Sequence, residues 1–258
     1  ARVVPAPVDD RFYSPAPRER RGLLVVSALA PYKRVDDAIA ASARLGLPLI
    51  VAGFGPEERR LRDLAGPNVT FAGSPSDEEL RELYRSAELV LMPGEEDFGI
   101  VPLEAQACAT PVVALGKGGA LETVVDGATG VLYPSPGPEP LAKAIGRARS
   151  TRFDGARLVA NAARFSEEAF RTRFLDAARA DLAAAEPHEI DPAFYGGGVS
   201  VALAEVLERD LELESDAIAL EWSEFSGALA SRKLPAFSLS WIADYPDPAN
   251  FLDALSLA

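Results

Sequence analysis

Cysteine, histidine and methionine each occur once in these 258 residues, as Cys108, His188 and Met92. A single cysteine excludes an internal disulfide, and one cysteine with one histidine leaves no Cys/His set for a zinc site. An Asp-x-Asp metal signature is missing as well. Cys108, set among alanines, reads as a buried and inert thiol, and His188 reads as incidental. Basic charge is scarce: the formal net charge of -13 argues against a phosphate backbone as partner, and so against a nucleic-acid role. No apolar run reaches the ~20 residues of a membrane span, so no transmembrane segment is expected. The start, Ala1-Arg2-Val3-Val4-Pro5, lacks the apolar core of a signal peptide. The expectation is a soluble protein of the cytoplasm.

What is present is enough apolar material, 48% of residues, to bury a full core in one large domain or two small ones. Residues 1–186 carry 23 Lys+Arg against 26 Asp+Glu, whereas 187–258 carry 3 against 13, a shift that suggests two segments of different origin. Val3 to Pro17, with four prolines, reads as an irregular lead-in. Apolar runs at 22–27, 48–52, 69–72, 88–92, from 111 and at 131–133 then alternate with helical patterns. Tyr32-Lys33-Arg34 opens an amphipathic helix bearing Val35, Ala38, Ile39 and Ala43. Ser76-Asp77-Glu78-Glu79 is a capping box, and Gly53-x-Gly55 is the steric signature of a strand-to-helix turn. A proline-rich link at 134–140 precedes helices at 141–149, 156–163 and 166–184, the last capped by Ser166. This alternation predicts an α/β fold, a Rossmann-like parallel sheet with helices on both faces, with ligands bound at the carboxyl ends of the strands.

The densest chemistry lies between Met92 and Val113. An apolar strand breaks at Pro93-Gly94, an acidic loop follows, and a small-residue helix opens near Pro102. Glu96 and Glu104 would stand about 12 Å apart along one continuous helix, at ~1.5 Å per residue. They converge only if Glu96 sits on the loop and Glu104 in the first helical turn, which Gly99 and Pro102 favour. Two carboxylates beside the N-H groups of a helix N-terminus suit sugar and ribose hydroxyls next to a diphosphate. The plainer alternative is that Glu104 caps its own turn while Glu95, Glu96 and Asp97 form a solvated loop.

The run Pro93-Gly94-Glu95-Glu96-Asp97-Phe98-Gly99-Ile100-Val101-Pro102-Leu103-Glu104-Ala105-Gln106-Ala107-Cys108, with its Glu-x7-Glu pair, resembles the family 4 retaining glycosyltransferases, most closely the mannosyltransferases. The resemblance covers roughly residues 3–180 and implies one half of a GT-B fold, the half that binds the nucleotide-sugar donor. It implies GDP-mannose as donor and a catalytic part for Glu96, on sugar hydroxyls, and for Lys33, on the diphosphate. Glu104 is implied to hold the ribose. The family's usual arginine five residues before the lysine is replaced by Ala28, and Arg34 is the implied substitute. Phe98, Gly99 and Ile100 match a loop whose N-H groups face the donor; Ser74 and Pro75 lie where the base is held through backbone. Gly118 and Gly119 would let backbone approach the ligand, with a simple turn as the alternative. Neither cofactor nor metal is implied. The half bearing the acceptor site is not covered, so the resemblance implies sugar transfer only with an acceptor domain supplied in trans. The alternatives are a non-catalytic nucleotide-sugar-binding module and a hybrid chain without activity of its own.

The domain boundaries expected from these features are 1–185 for the donor-binding part, 186–198 for a linker and 199–258 for a second segment. The linker holds Pro192 and three consecutive glycines. Glu221-Trp222-Ser223-Glu224-Phe225, Trp241 to Pro248, and Asn250-Phe251-Leu252 resemble a fragment of the solute-binding proteins of peptide transporters, family 5. A small α+β segment is expected there: helices at 199–208 and 222–231, strands at 217–220 and 236–243. That resemblance is to extracytoplasmic proteins, which conflicts with the first part and marks the chain as a join of two families.

Overall fold

The computed structural model describes residues 3–184 and four two-residue strands at 193–194, 216–217, 236–237 and 256–257. Two compact units partition the chain: Pro5–Phe170, and Ala1–Val4 with Arg171–Ala258. The first unit holds a six-stranded sheet of β1 (Leu23–Val26), β2 (Leu49–Ala52), β3 (Val69–Gly73), β4 (Leu89–Met92), β5 (Val112–Leu115) and β6 (Gly130–Tyr133). Every pairing is parallel, and the order is β3-β2-β1-β4-β5-β6. Between the strands lie α1 (Val35–Leu45), α2 (Glu58–Leu64), α3 (Asp77–Ser86), α4 (Val101–Ala107) and α5 (Ala120–Thr123). After β6 come α6 (Pro138–Ser150), α7 (Gly155–Ala163) and α8 (Glu167–Ala184), the last running past the end of the first unit.

Alternation along the strands builds two cores. Leu23, Val25, Leu49, Val51, Leu89, Leu91, Val113 and Leu115 point to one face, where Ile39 of α1 and Leu141 and Ile145 of α6 cover them. Leu24, Val90, Met92, Val112 and Ala114 point to the other, under Tyr84 of α3, Leu103 of α4 and Ala162 of α7. Strands buried on both faces are why the runs read as continuously apolar. On the second face Asn161 donates to the Gln106 side-chain oxygen at 2.7 Å, and both side-chain amides donate to the Thr123 carbonyl. That buried network fixes α4 against α7.

The expected elements are present with shifted ends. Ser76 and Glu79 form the reciprocal capping box, and Ser166 accepts from the Ala169 N-H. The proline-rich link is shorter than expected, because α6 already begins at Pro138, where a missing N-H is harmless. Cys108 is fully buried, and burial pushes its thiol up to about 11. Among the described residues no helix is long and apolar enough to cross a membrane.

In the second unit, β7 (Ala193–Phe194) pairs in parallel with β8 (Asp216–Ala217), and β9 (Ala236–Phe237) antiparallel with β10 (Ser256–Leu257). The stretch expected to be a plain linker therefore carries a short strand, since prolines and glycines that end a helix do not bar two extended residues between them. The strands expected at 217–220 and 236–243 overlap β8 and β9 at their first residues. His188, both expected tail helices and the motifs likened to peptide-transporter proteins lie outside the described residues.

Candidate functional site

β1 and β4 are neighbours, but the chain leaves β1 for α1 on one face and β4 for α4 on the other. This reversal opens a crevice at the carboxyl ends of the two strands, the position where open α/β sheets bind ligands. The loops that border it touch. A Cβ at Gly94 would stand 2.6 Å from the Tyr32 carbonyl oxygen and 2.8 Å from the Lys33 Cα, so only glycine lets the β4 loop lie against the β1 loop. Lys33 follows β1 in a short 3-10 turn, Pro31–Lys33, and its Nζ donates to both carboxylate oxygens of Glu96, at 2.5 and 2.7 Å. The lysine side chain is 6% exposed and the glutamate 19%. A cation withdrawn so far from water requires its counter-charge, and removing either partner leaves the other poorly solvated.

The acidic loop is held from its other side. Gly119 donates its N-H to the Glu96 carbonyl at 2.8 Å, and a Cβ at Gly118 or Gly119 would collide with the backbone of Glu96 or Phe98. Gly118, at φ +53°, and Gly99, at φ +78°, occupy the left-handed region that favours glycine. The Phe98 ring packs on Phe165, 5.8 Å between centroids. Among the described residues no hydrogen bond accounts for the N-H groups of Phe98, Gly99 or Ile100.

Glu104 lies in the first turn of α4, as Gly99 and Pro102 predict. Its Oε2 accepts from the Tyr84 hydroxyl at 2.6 Å, and Tyr13 lies near enough to the same carboxylate to act on its titration. Tyr13 and Tyr84 meet edge to face at 5.7 Å. Burial raises the Glu104 carboxyl above its ordinary value, the two hydroxyls draw it back, and the charge of Asp77 adds to the rise. Both phenols are pushed upward in turn, by burial first and then by Glu104.

The structure places the expected site residues as follows. Glu96 is held by Lys33, and Glu104 by Tyr84. Glu96 is accordingly not part of a solvated acidic loop. Arg34 does not join Lys33. Its backbone is left-handed, φ 54°, which turns the guanidinium to Asp37 at 2.7 Å, and Asp37 also accepts the Gly137 N-H. The Gly119 N-H is committed to Glu96 and is not presented to a ligand. Ser74 and Pro75 follow β3; Pro75 borders an open groove with Arg18, Glu79, Glu82 and Leu83, none of them among the residues just described. Gly53 and Gly55 are steric, since a Cβ on either would strike the carbonyl of Ser27 or Leu29. Among the described residues no cluster of His, Cys, Asp and Glu is gathered to hold a metal ion.

Sequence reasoning missed Tyr13, Tyr84 and the approach of Gly94 to Lys33. Tyr84 falls at the helical spacing of core residues beside Leu80 and Leu83, and Tyr13 lies in a lead-in whose prolines promise no fixed structure. Asp9 supplies that structure locally: its carboxylate accepts the N-H groups of Arg11 and Phe12, and its carbonyl that of Tyr13.

Sheet order, switch-point crevice and polar loops at the strand ends define a Rossmann-type α/β ligand-binding domain. The chain belongs to the family described as glycosyl transferases group 1, whose model matches residues 9–169. A D-inositol 3-phosphate glycosyltransferase of Mycobacteroides abscessus is 40% identical over 47% of this chain and 30% of that protein. The protein of the same name from Acidothermus cellulolyticus is 37% identical over 57% of this chain and 40% of that protein. The chain thus spans well under half the length of these curated relatives. Among solved structures, sucrose-phosphate synthase from Thermosynechococcus elongatus has a TM-score of 0.63 at 27% identity, over 71% of this chain and 53% of that one. Anabaena Alr3699/HepE in complex with UDP has a TM-score of 0.61 at 23% identity, over 67% and 56%, a likeness of fold.

Proposed function

We propose that residues 1–185 are the donor-binding half of a glycosyltransferase, holding a nucleoside diphosphate sugar at the crevice between β1 and β4. The observation that supports the reading is the Lys33–Glu96 pair across the switch point, a buried cation and a carboxylate together at the carboxyl ends of β1 and β4. When the bond from the anomeric carbon to the diphosphate oxygen breaks, negative charge collects on the phosphates. Lys33 and the N-H groups of Phe98, Gly99 and Ile100 stabilise it there. Glu96, released from Lys33, takes the sugar hydroxyls, and Glu104 the ribose.

Sugar transfer also needs an acceptor wall, supplied by chain beyond this sequence or by another polypeptide in trans. The names of the curated relatives favour an inositol phosphate as the acceptor there. For the donor, GDP-mannose is the choice from the sequence resemblance. Because the chain spans only 30–40% of those relatives, a module that binds nucleotide sugar without chemistry is the second reading.

The test is calorimetric titration of the chain against UDP, GDP and their sugars, with EDTA and with magnesium, since Lys33 rather than a metal is proposed to face the diphosphate. Ligand at 100 times its dissociation constant should raise stability by about 2.7 kcal/mol. No binding to any of these refutes the proposal. Sugar transfer after addition of a purified acceptor half separates the enzyme from the binding module.

A further inference from the structure

We propose that Tyr84 is a positioning residue for the ribose of a bound nucleotide: its hydroxyl holds the Glu104 carboxylate so that the carboxylate's unfilled lone pairs receive the vicinal 2′- and 3′-hydroxyls. The inference rests on the donor-site reading above. Tyr84 is fully buried and its hydroxyl is committed to Glu104 at 2.6 Å. Tyr13, 8% exposed, is held by the Asp9 turn and leans edge-on against Tyr84, so neither ring can swing away.

An ionised carboxylate accepts at about four lone-pair sites. The Tyr84 phenol occupies one of them, and the remaining capacity is enough for the two donors of a vicinal diol. Glu104 is half-buried. If the cluster served packing alone, a backbone carbonyl would satisfy Tyr84 without desolvating a charge. The hydroxyls oppose, without cancelling, the rise that burial imposes on the Glu104 carboxyl.

The experiment compares the affinities of the full chain and of Tyr84→Phe and Tyr13→Phe for UDP and GDP with those for their 2′,3′-dideoxy forms. Phenylalanine keeps the ring and its packing, and thermal melting of each variant shows that it is folded. The expected result is that Tyr84→Phe lowers the preference for the ribonucleotide about tenfold, with dideoxynucleotide affinity within about twofold of the parent. Tyr13→Phe keeps the edge-to-face contact with Tyr84 and should leave that preference within about twofold of the parent. Equal losses for both nucleotide forms in Tyr84→Phe mean that Tyr84 is structural and overturn the inference, as does an unchanged preference in that variant. A parent chain that binds none of these nucleotides is a different failure, that of the donor-site reading itself.

Discussion

Glu96 and Glu104 stand on the same strand-to-helix connection, yet the fold gives them unlike company. Glu96 meets a buried cation, Lys33, in a bond that neutralises both. Glu104 meets the uncharged Tyr84 hydroxyl, which orients it. The contrast teaches that a carboxylate's availability depends on what already holds it. Glu96 must exchange partners before it can grip a ligand, whereas Glu104 is ready beforehand. A pair of acids that looks symmetrical along the chain is asymmetrical in use.

That asymmetry can be broken experimentally, most severely at the cation. Lys33→Ala removes the charge that faces the diphosphate and leaves Glu96 uncompensated. Nucleoside diphosphate affinity, by calorimetry, should fall about a hundredfold, two charge-assisted bonds being enough for such a loss. Glu96→Gln should act in the opposite sense. With its competitor gone, Lys33 binds a nucleoside diphosphate about five- to tenfold tighter, while the additional affinity conferred by the sugar disappears. Equal changes for diphosphate and nucleotide sugar would contradict the exchange of partners.

The Glu104 side is sharpened by pH. Because its carboxyl is raised in the folded chain, that chain holds the proton more tightly than the unfolded one does. The resulting stability is present below the ordinary carboxylate value and is lost as pH rises through the raised folded value. Urea denaturation across that window should show the decline, and Glu104→Gln should flatten it. A slope identical in the variant would assign the titration to another group. The smallest effect is expected from Arg34→Ala, less than about threefold in nucleotide affinity, since its guanidinium belongs to Asp37. A loss as large as that of Lys33→Ala would restore Arg34 to the phosphate site.

The sheet was legible because apolar runs punctuated by glycine and caps translate directly into parallel strands and covering helices, as β4 and β5 illustrate. The placement of Glu104 was legible too, from Gly99 and Pro102 alone. The partners were not. Lys33 and Glu96 are 63 residues apart, and their meeting follows from strand order, which no local pattern encodes. Arg34 reads as the substitute for the arginine missing at Ala28 because the left-handed backbone at Arg34 leaves no mark in residue type. Tyr13 was hidden for a third reason: the prolines of the lead-in mask the local turn that Asp9 builds around it.

The glycine pair at 118–119 carries one more consequence. Since neither residue tolerates even a methyl group against the backbone of residues 96–98, the two loops form a single mechanical piece. An engineer seeking a new sugar preference by re-registering either one must carry the other with it, so selectivity in this scaffold has to be redesigned two connections at a time.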